Sequence, residues 1–262
     1  MSQLRVLLLA GLFAGLAACG PAPEDVPPAG TTGQATPEQA APPPAAAAND
    51  SVPPTRLAMS QEIPAEWRFE QGRHFQVMTT ARPRNTAEPI EVIEFFWYGC
   101  PFCFSFEPVI SRWKQGLPDD VAFVRIPVIW GATEERYARL YYTAETLGRL
   151  DDLHEQVFRD YHLDNRRLRN DDDVQAFFGR HGVPAEEFRK AWGSFSVNSN
   201  LNNARRLTSP AGYNITATPT VVVNGRYKAA GEEVRTFDDV LAVTEELILR
   251  ERQARLGESG GG

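Results

Sequence analysis

Ile90-Glu91-Val92-Ile93-Glu94-Phe95-Phe96-Trp97-Tyr98-Gly99-Cys100-Pro101-Phe102-Cys103 is the stretch that decides how this chain is read. The apolar run Ile90–Trp97 predicts a buried central strand covered on both faces. The residues after Cys100 predict a helix start. Pro101 suits the first helical position, where a missing N–H has no partner to lose. Cys100 then stands at the helix N-terminus, with unpaired N–H groups and the positive end of the helix dipole facing its sulfur. Both favour thiolate over thiol, and the thiolate is the species that attacks disulfides. Cys100 and Cys103 therefore read as a redox-active dithiol.

Other readings of the pair fare worse. A zinc site needs about four ligands. Only one further cysteine, Cys19, exists, and His74, His154, His162 and His181 lack the spacing of a paired-histidine motif. No metal is expected. A structural disulfide across two intervening residues would close a very small loop and restrain the unfolded chain little.

Working outward, Trp67–Thr79 alternates and predicts an edge strand. Phe104–Gly116 continues the helix, with Pro108 as a kink. Val121–Pro127 predicts a strand parallel to the first, because a helical crossover joins them. Thr133–Pro210 changes to helical spacing, with stripes such as Tyr137, Leu140, Tyr141 and Ala144. Asp172 is expected to cap a third helix of this block, Pro184 to open a fourth, and Ser199–Ser209 to form a fifth. Strand pattern resumes at Thr220–Val223, and Asn224-Gly225 signals a two-residue hairpin returning through Arg226–Ala229. A last amphipathic helix is expected over Thr236–Leu256. The order is that of an α/β protein with an all-helical block, at about 131–210, inserted between strands.

The ends differ in kind. Met1–Ala18 carries Arg5, an apolar stretch and small residues, as a signal peptide does over 1–18. Leu16-Ala17-Ala18-Cys19 resembles the lipobox of bacterial lipoproteins, in which the cysteine carries a lipid; Cys19 is the expected lipidation site. Residues 19–62 read as a Pro/Ala-rich linker, since ten of the 20 prolines fall there without hydrophobic periodicity. The folded domain is expected over 63–256, and 257–262 as an unstructured tail. The net charge of −7 argues against nucleic acid as a partner.

The segment Glu94 to Pro108 resembles the active-site segment of the DsbA family of bacterial thiol–disulfide oxidoreductases. Thr216-Ala217-Thr218-Pro219-Thr220 and the hairpin after it resemble that family's proline loop, and Val183–Phe195 its helical insertion. The resemblance implies a thioredoxin fold with an inserted all-helical subdomain. It implies that Cys100 is an exposed nucleophile and Cys103 a buried resolving thiol. It implies that Thr218 and a cis Pro219 present backbone to a bound peptide; a trans proline at a strand start suits the sequence equally. Glu94 matches the family's buried, proton-relaying acid, or else a strand carboxylate paired with Arg125. Pro101 and Phe102 would tune the thiol. Phe102 stands where familiar members have a cationic histidine, and Thr218 where many have valine; both departures bear on oxidising strength.

The function implied is donation of the Cys100–Cys103 disulfide to reduced exported proteins in the periplasm. No bound cofactor is expected, and a quinone-linked DsbB-type membrane protein would reoxidise the dithiol. A lipid-anchored monomer is the expected form. An isomerase or reductase, and a peptide-binding chaperone using an apolar groove near Trp97, Phe102 and Trp130, are the alternatives.

Overall fold

Residues 62–79 and 88–259 are described by the structure, a computed structural model. All of them fall within the unit Ala45–Gly262. The expected signal peptide, Cys19 and the linker up to residue 61 lie outside the described residues.

Ile90–Phe96 is strand β2 of a sheet that also holds β1 (Gln76–Val77), β3 (Val121–Pro127), β4 (Thr220–Val223) and β5 (Tyr227–Lys228), in the order β1-β5-β4-β2-β3. β2 and β3 are parallel, with Glu94 opposite Arg125; β4 runs antiparallel to β2 on its other side. The central position of β2 explains its continuous apolar run, because both faces are covered. Side chains alternate between faces. Ile90 and Val92, with Val221 and Val223, pack against α1 (Pro101–Lys114) and α7 (Phe237–Ser259). Ile93 and Phe95, with Val222, belong to the cluster formed with the helical block. Glu94 lies on the first of these faces, two residues from Val92, and so beneath α1.

The helical block comprises α2 (Ala132–Thr146), α3 (Leu150–His162), α4 (Asp171–Arg180), α5 (Ala185–Trp192) and α6 (Phe195–Thr208), all between β3 and β4. Pro184 opens α5 as its N-cap. The Asn224-Gly225 hairpin forms, with φ of 51° and 61° at the two residues, the left-handed pair that a two-residue turn of this kind requires.

Several boundaries differ from the sequence reading. Asn170, not Asp172, caps α4: its backbone is extended and its side chain accepts from Asp173 N–H at 2.8 Å. Ser194 caps α6 by accepting from the Val197 N–H, so that helix starts at Phe195 rather than Ser199. α7 runs three residues past the expected end at Leu256, to Ser259. The edge strand expected over Trp67–Thr79 shrinks to Gln76–Val77. The residues before it instead strap α7: the Glu246 carboxylate accepts from the backbone N–H of Arg68 and Phe69, and Arg250 donates to the Phe69 carbonyl. A segment whose N–H groups are taken by a helix side chain has none to give a neighbouring strand.

Candidate active site

α1 opens at Cys100, which is its N-cap, with Pro101 next. The buried positions Cys103, Phe106, Glu107, Ile110 and Trp113 recur at helical spacing and seat α1 on the sheet. Cys100 and Cys103 are both free thiols. The Thr218–Pro219 bond is cis, and the Cys100 thiol donates to the Thr218 carbonyl at 3.2 Å. This loop crosses the helix end and leaves Cys100 only 7% exposed, so the expected exposed sulfur is largely covered. Gly99 is dictated by space: a Cβ there would lie 2.3 Å from the Trp97 ring and 2.6 Å from the Tyr161 hydroxyl.

The two sulfurs are electrostatically unlike. Cys100 is lowered to about 6, first by a hydrogen bond from Cys103, against burial, with help from the Thr218 side chain and the N–H groups of Cys103 and Phe102. No cation is among these causes. Cys103 is fully enclosed, and burial pushes its pKa well above the ordinary thiol value, the neighbouring Cys100 and Glu94 charges adding to that.

Below them lies a buried ionic chain. Burial raises Glu94 to about 7, while Arg125, donating from Nε at 2.9 Å, opposes the rise. The Arg125 guanidinium also donates to Glu107 at 2.8 Å and to Ser111 Oγ at 3.0 Å. Burial alone would raise Glu107, but His154, Arg125 and Ser111 together hold it below the usual value. His154 is kept neutral by burial. The Glu107 carboxylate can only accept, so Nε2 of His154 donates to it at 3.2 Å, and Nδ1 accepts from the Tyr98 hydroxyl at 2.7 Å. A surface cavity of about 370 Å³, lined by Glu107, Arg125, Tyr141 and His154 among others, reaches this chain from the side of the helical block.

Comparison with known proteins decides what this geometry belongs to. The thiol:disulfide interchange protein DsbA of Azotobacter vinelandii is 35% identical over 184 residues, covering 70% of this chain and 85% of the relative. The protein of that name from Pseudomonas syringae pv. tomato is 36% identical over 186 residues, 71% of this chain and 86% of its own. The chain belongs to the DsbA family. Residues 120–242 match the family described as a DSBA-like thioredoxin domain. The crystal structure of Pseudomonas aeruginosa DsbA aligns with a TM-score of 0.66 at 32% identity, covering 71% of this chain and 96% of that one. The fold is thus the thioredoxin domain with a helical insert, and the chain is a DsbA thiol–disulfide oxidoreductase with the pair Cys100 and Cys103.

Within this DsbA site the structure brings together Cys100, Pro101, Cys103, Thr218 and Pro219. Glu94 is buried on the α1 side of the sheet and paired with Arg125. Phe102 is 42% exposed and Trp130 is 46% exposed, so both offer apolar surface. Trp97 does not; it is half-buried against Tyr161. Nothing in the sequence assigns a role to Glu107, Ser111 or Tyr98, and it offers His154 only as a zinc ligand without partners at the needed spacing. Glu107 had a signal: it lies four residues after Cys103 on the predicted helix, hence directly beneath it. His154 had none, since it enters from a helix of the inserted block.

Proposed function

We propose that this chain is a lipid-anchored periplasmic oxidase that passes the Cys100–Cys103 disulfide to reduced exported proteins. The single observation that carries the oxidase reading is the asymmetry of the two thiols. A thiolate favoured at Cys100 stabilises the reduced enzyme, which makes the disulfide form a better oxidant.

A substrate thiolate attacks Sγ of Cys100 in the disulfide. The bond to Cys103 breaks, its electron pair passes to the Cys103 sulfur, and that sulfur takes up a proton. Glu94, raised to about 7, is poised to supply it. A second substrate thiolate attacks the substrate sulfur of the mixed disulfide, and Cys100 leaves as a thiolate. The substrate loses two electrons and the enzyme gains two. Thr218 and Pro219 would offer backbone to the bound peptide, and Phe102 would tune the nucleophile. A quinone-linked DsbB-type protein would restore the disulfide. Cys19, with the linker of 19–62, would tether the folded domain to a bacterial membrane as a monomer.

Brief iodoacetamide treatment of the reduced protein, followed by peptide mapping, tests the roles. Cys100 should take the label, with a rate that rises as pH passes about 6. Equal or preferential labelling of Cys103 would overturn the assignment.

A further inference from the structure

Arg166-Arg167-Leu168-Arg169 lies in the loop between α3 and α4, in a chain whose net charge is −7. Together with Arg180 of α4 these arginines line a surface cavity of about 450 Å³. The loop is held in a fixed frame. Leu168 is buried, its N–H donates to the Tyr137 hydroxyl at 3.0 Å, and its carbonyl accepts from Arg136 at 3.5 Å. The Arg166 N–H donates to the Asp160 carbonyl at 2.7 Å. The guanidinium groups are therefore displayed from rigid backbone.

Their charges are unevenly used. Arg166 pairs with Asp160 at 3.1 Å and Asp164 at 2.9 Å, and Arg180 with Asp160 at 2.8 Å. Arg169 reaches Asp173 only at 3.4 Å, and its side chain is 80% exposed. Arg167 lies 3.7 Å above the Tyr161 ring and has no carboxylate partner among the described residues. Tyr161 connects this patch to the dithiol: its ring packs on Trp97, and its hydroxyl occupies the space beside Gly99, the residue before Cys100.

We infer that Arg167 and Arg169 form a subsite for acidic residues of the polypeptide substrate, close to its reacting cysteine. This rests on the reading of Cys100 as the attacked sulfur. The ligand class follows from the pattern of charges. Asp160, Asp164 and Asp173 stand among the arginines and would repel a compact, multiply charged anion such as phosphate. Carboxylates spaced along an extended chain can meet the two least-paired arginines one at a time. The chain of contacts from Arg167 through Tyr161 to Trp97 and Gly99 spans on the order of 10–15 Å, which at about 3.3 Å per residue of extended peptide places the acidic residues about three to five residues from the cysteine.

The test uses the full-length oxidised protein and three dithiol peptides, identical except for Glu, Ser or Lys at those flanking positions. The glutamate peptide should show a kcat/KM about three- to tenfold above the lysine peptide at low salt, as expected for two exposed ion pairs. The gap should close in about 0.5 M salt, where screening is nearly complete at these separations. The double variant Arg167→Glu/Arg169→Glu should reverse the preference. A second measurement does not depend on turnover: binding of the fluorescent glutamate peptide to the Cys100→Ser protein should be lost in the same double variant. Equal kcat/KM for the three peptides, or a preference untouched by the charge reversal, would overturn the subsite. So would vesicles of anionic lipid that bind through these arginines while the peptides are not discriminated. Failure to oxidise any peptide, with binding still sensitive to Arg167 and Arg169, would refute the role of Cys100 and leave the subsite standing.

Discussion

Replacing Phe102 by histidine should make this enzyme a stronger oxidant, and the structure sets the size of the effect. Phe102 is 42% exposed at the first turn of α1, so an imidazole fits there without disturbing the core. Cys100 is already lowered to about 6 by the Cys103 thiol, the Thr218 side chain and N–H groups of the helix end. None of these carries a full positive charge. An opposite charge within about 4–6 Å typically lowers the pKa of an acid by about 1–3 units; a solvent-facing imidazolium belongs at the lower end, about one to two units. At pH 7 the thiolate is already dominant, so each unit of further lowering stabilises the reduced form by about 1.4 kcal/mol. For a two-electron couple that is about 30 mV. The potential of Phe102→His should therefore rise by about 30 to 60 mV. Thiolate absorbance titrated against pH gives the first quantity, and equilibrium with glutathione the second. An unchanged or higher Cys100 pKa, or a more negative potential, would show that residue 102 does not set the poise. The Thr218 side chain would then be the next determinant to remove.

The wild-type potential should also bend with pH. Below about pH 6 two protons accompany two electrons and the slope is about −59 mV per unit; above it Cys100 stays ionised and the slope halves to about −30 mV. A single straight line from pH 4.5 to 8 would contradict the thiolate assignment. Gly231→Ala should destabilise the domain by about 1–3 kcal/mol, read by chemical denaturation, because a Cβ there would meet the Arg73 carbonyl oxygen at 2.0 Å; unchanged stability would show that the Arg73 segment yields freely. Cys19→Ser should move the protein from the membrane fraction to the soluble one, and a wild type recovered wholly as soluble protein would refute the anchor.

What could be read from the sequence was local. The β2 run, Pro101 after Cys100 and the Asn224-Gly225 turn each state their geometry within a few residues. The parallel pairing of β2 and β3 followed from the helix between them. The strap over α7 could not be read, because it depends on a carboxylate at Glu246 capturing N–H groups 177 and 178 residues away. The burial of Cys100 is illegible for the same reason: the covering group, Thr218, is 118 residues distant. The resemblance supplied the proline loop but not how closely it lies over the sulfur. The choice of Asn170 over Asp172 as cap turned on backbone conformation, which three consecutive aspartates leave ambiguous.

The difference between Cys100 and Cys103 is a matter of place on one helix. Both sulfurs are buried, and burial by itself raises any thiol pKa. At Cys100 that cost is outweighed, first by the hydrogen bond from Cys103, then by the Thr218 side chain and by the Cys103 and Phe102 N–H groups that the first helical turn leaves free. Cys103, three residues along, is enclosed more completely, its N–H serves the Cys100 sulfur, and its own sulfur faces the Glu94 side of the sheet. A negative charge on either cysteine therefore disfavours one on the other, and the hydrogen bond between them runs from Cys103 to Cys100. This explains how a chain without a cation at position 102 keeps a thiolate at neutral pH. It also places the adjustable part of the potential in the residues around the helix end, Phe102 and Thr218. The buried chain of Glu94, Arg125, Glu107 and His154 lies on the other sulfur's side. Changes at Phe102 should thus move the potential chiefly through Cys100, while changes at Glu94 should act on how fast Cys103 exchanges its proton.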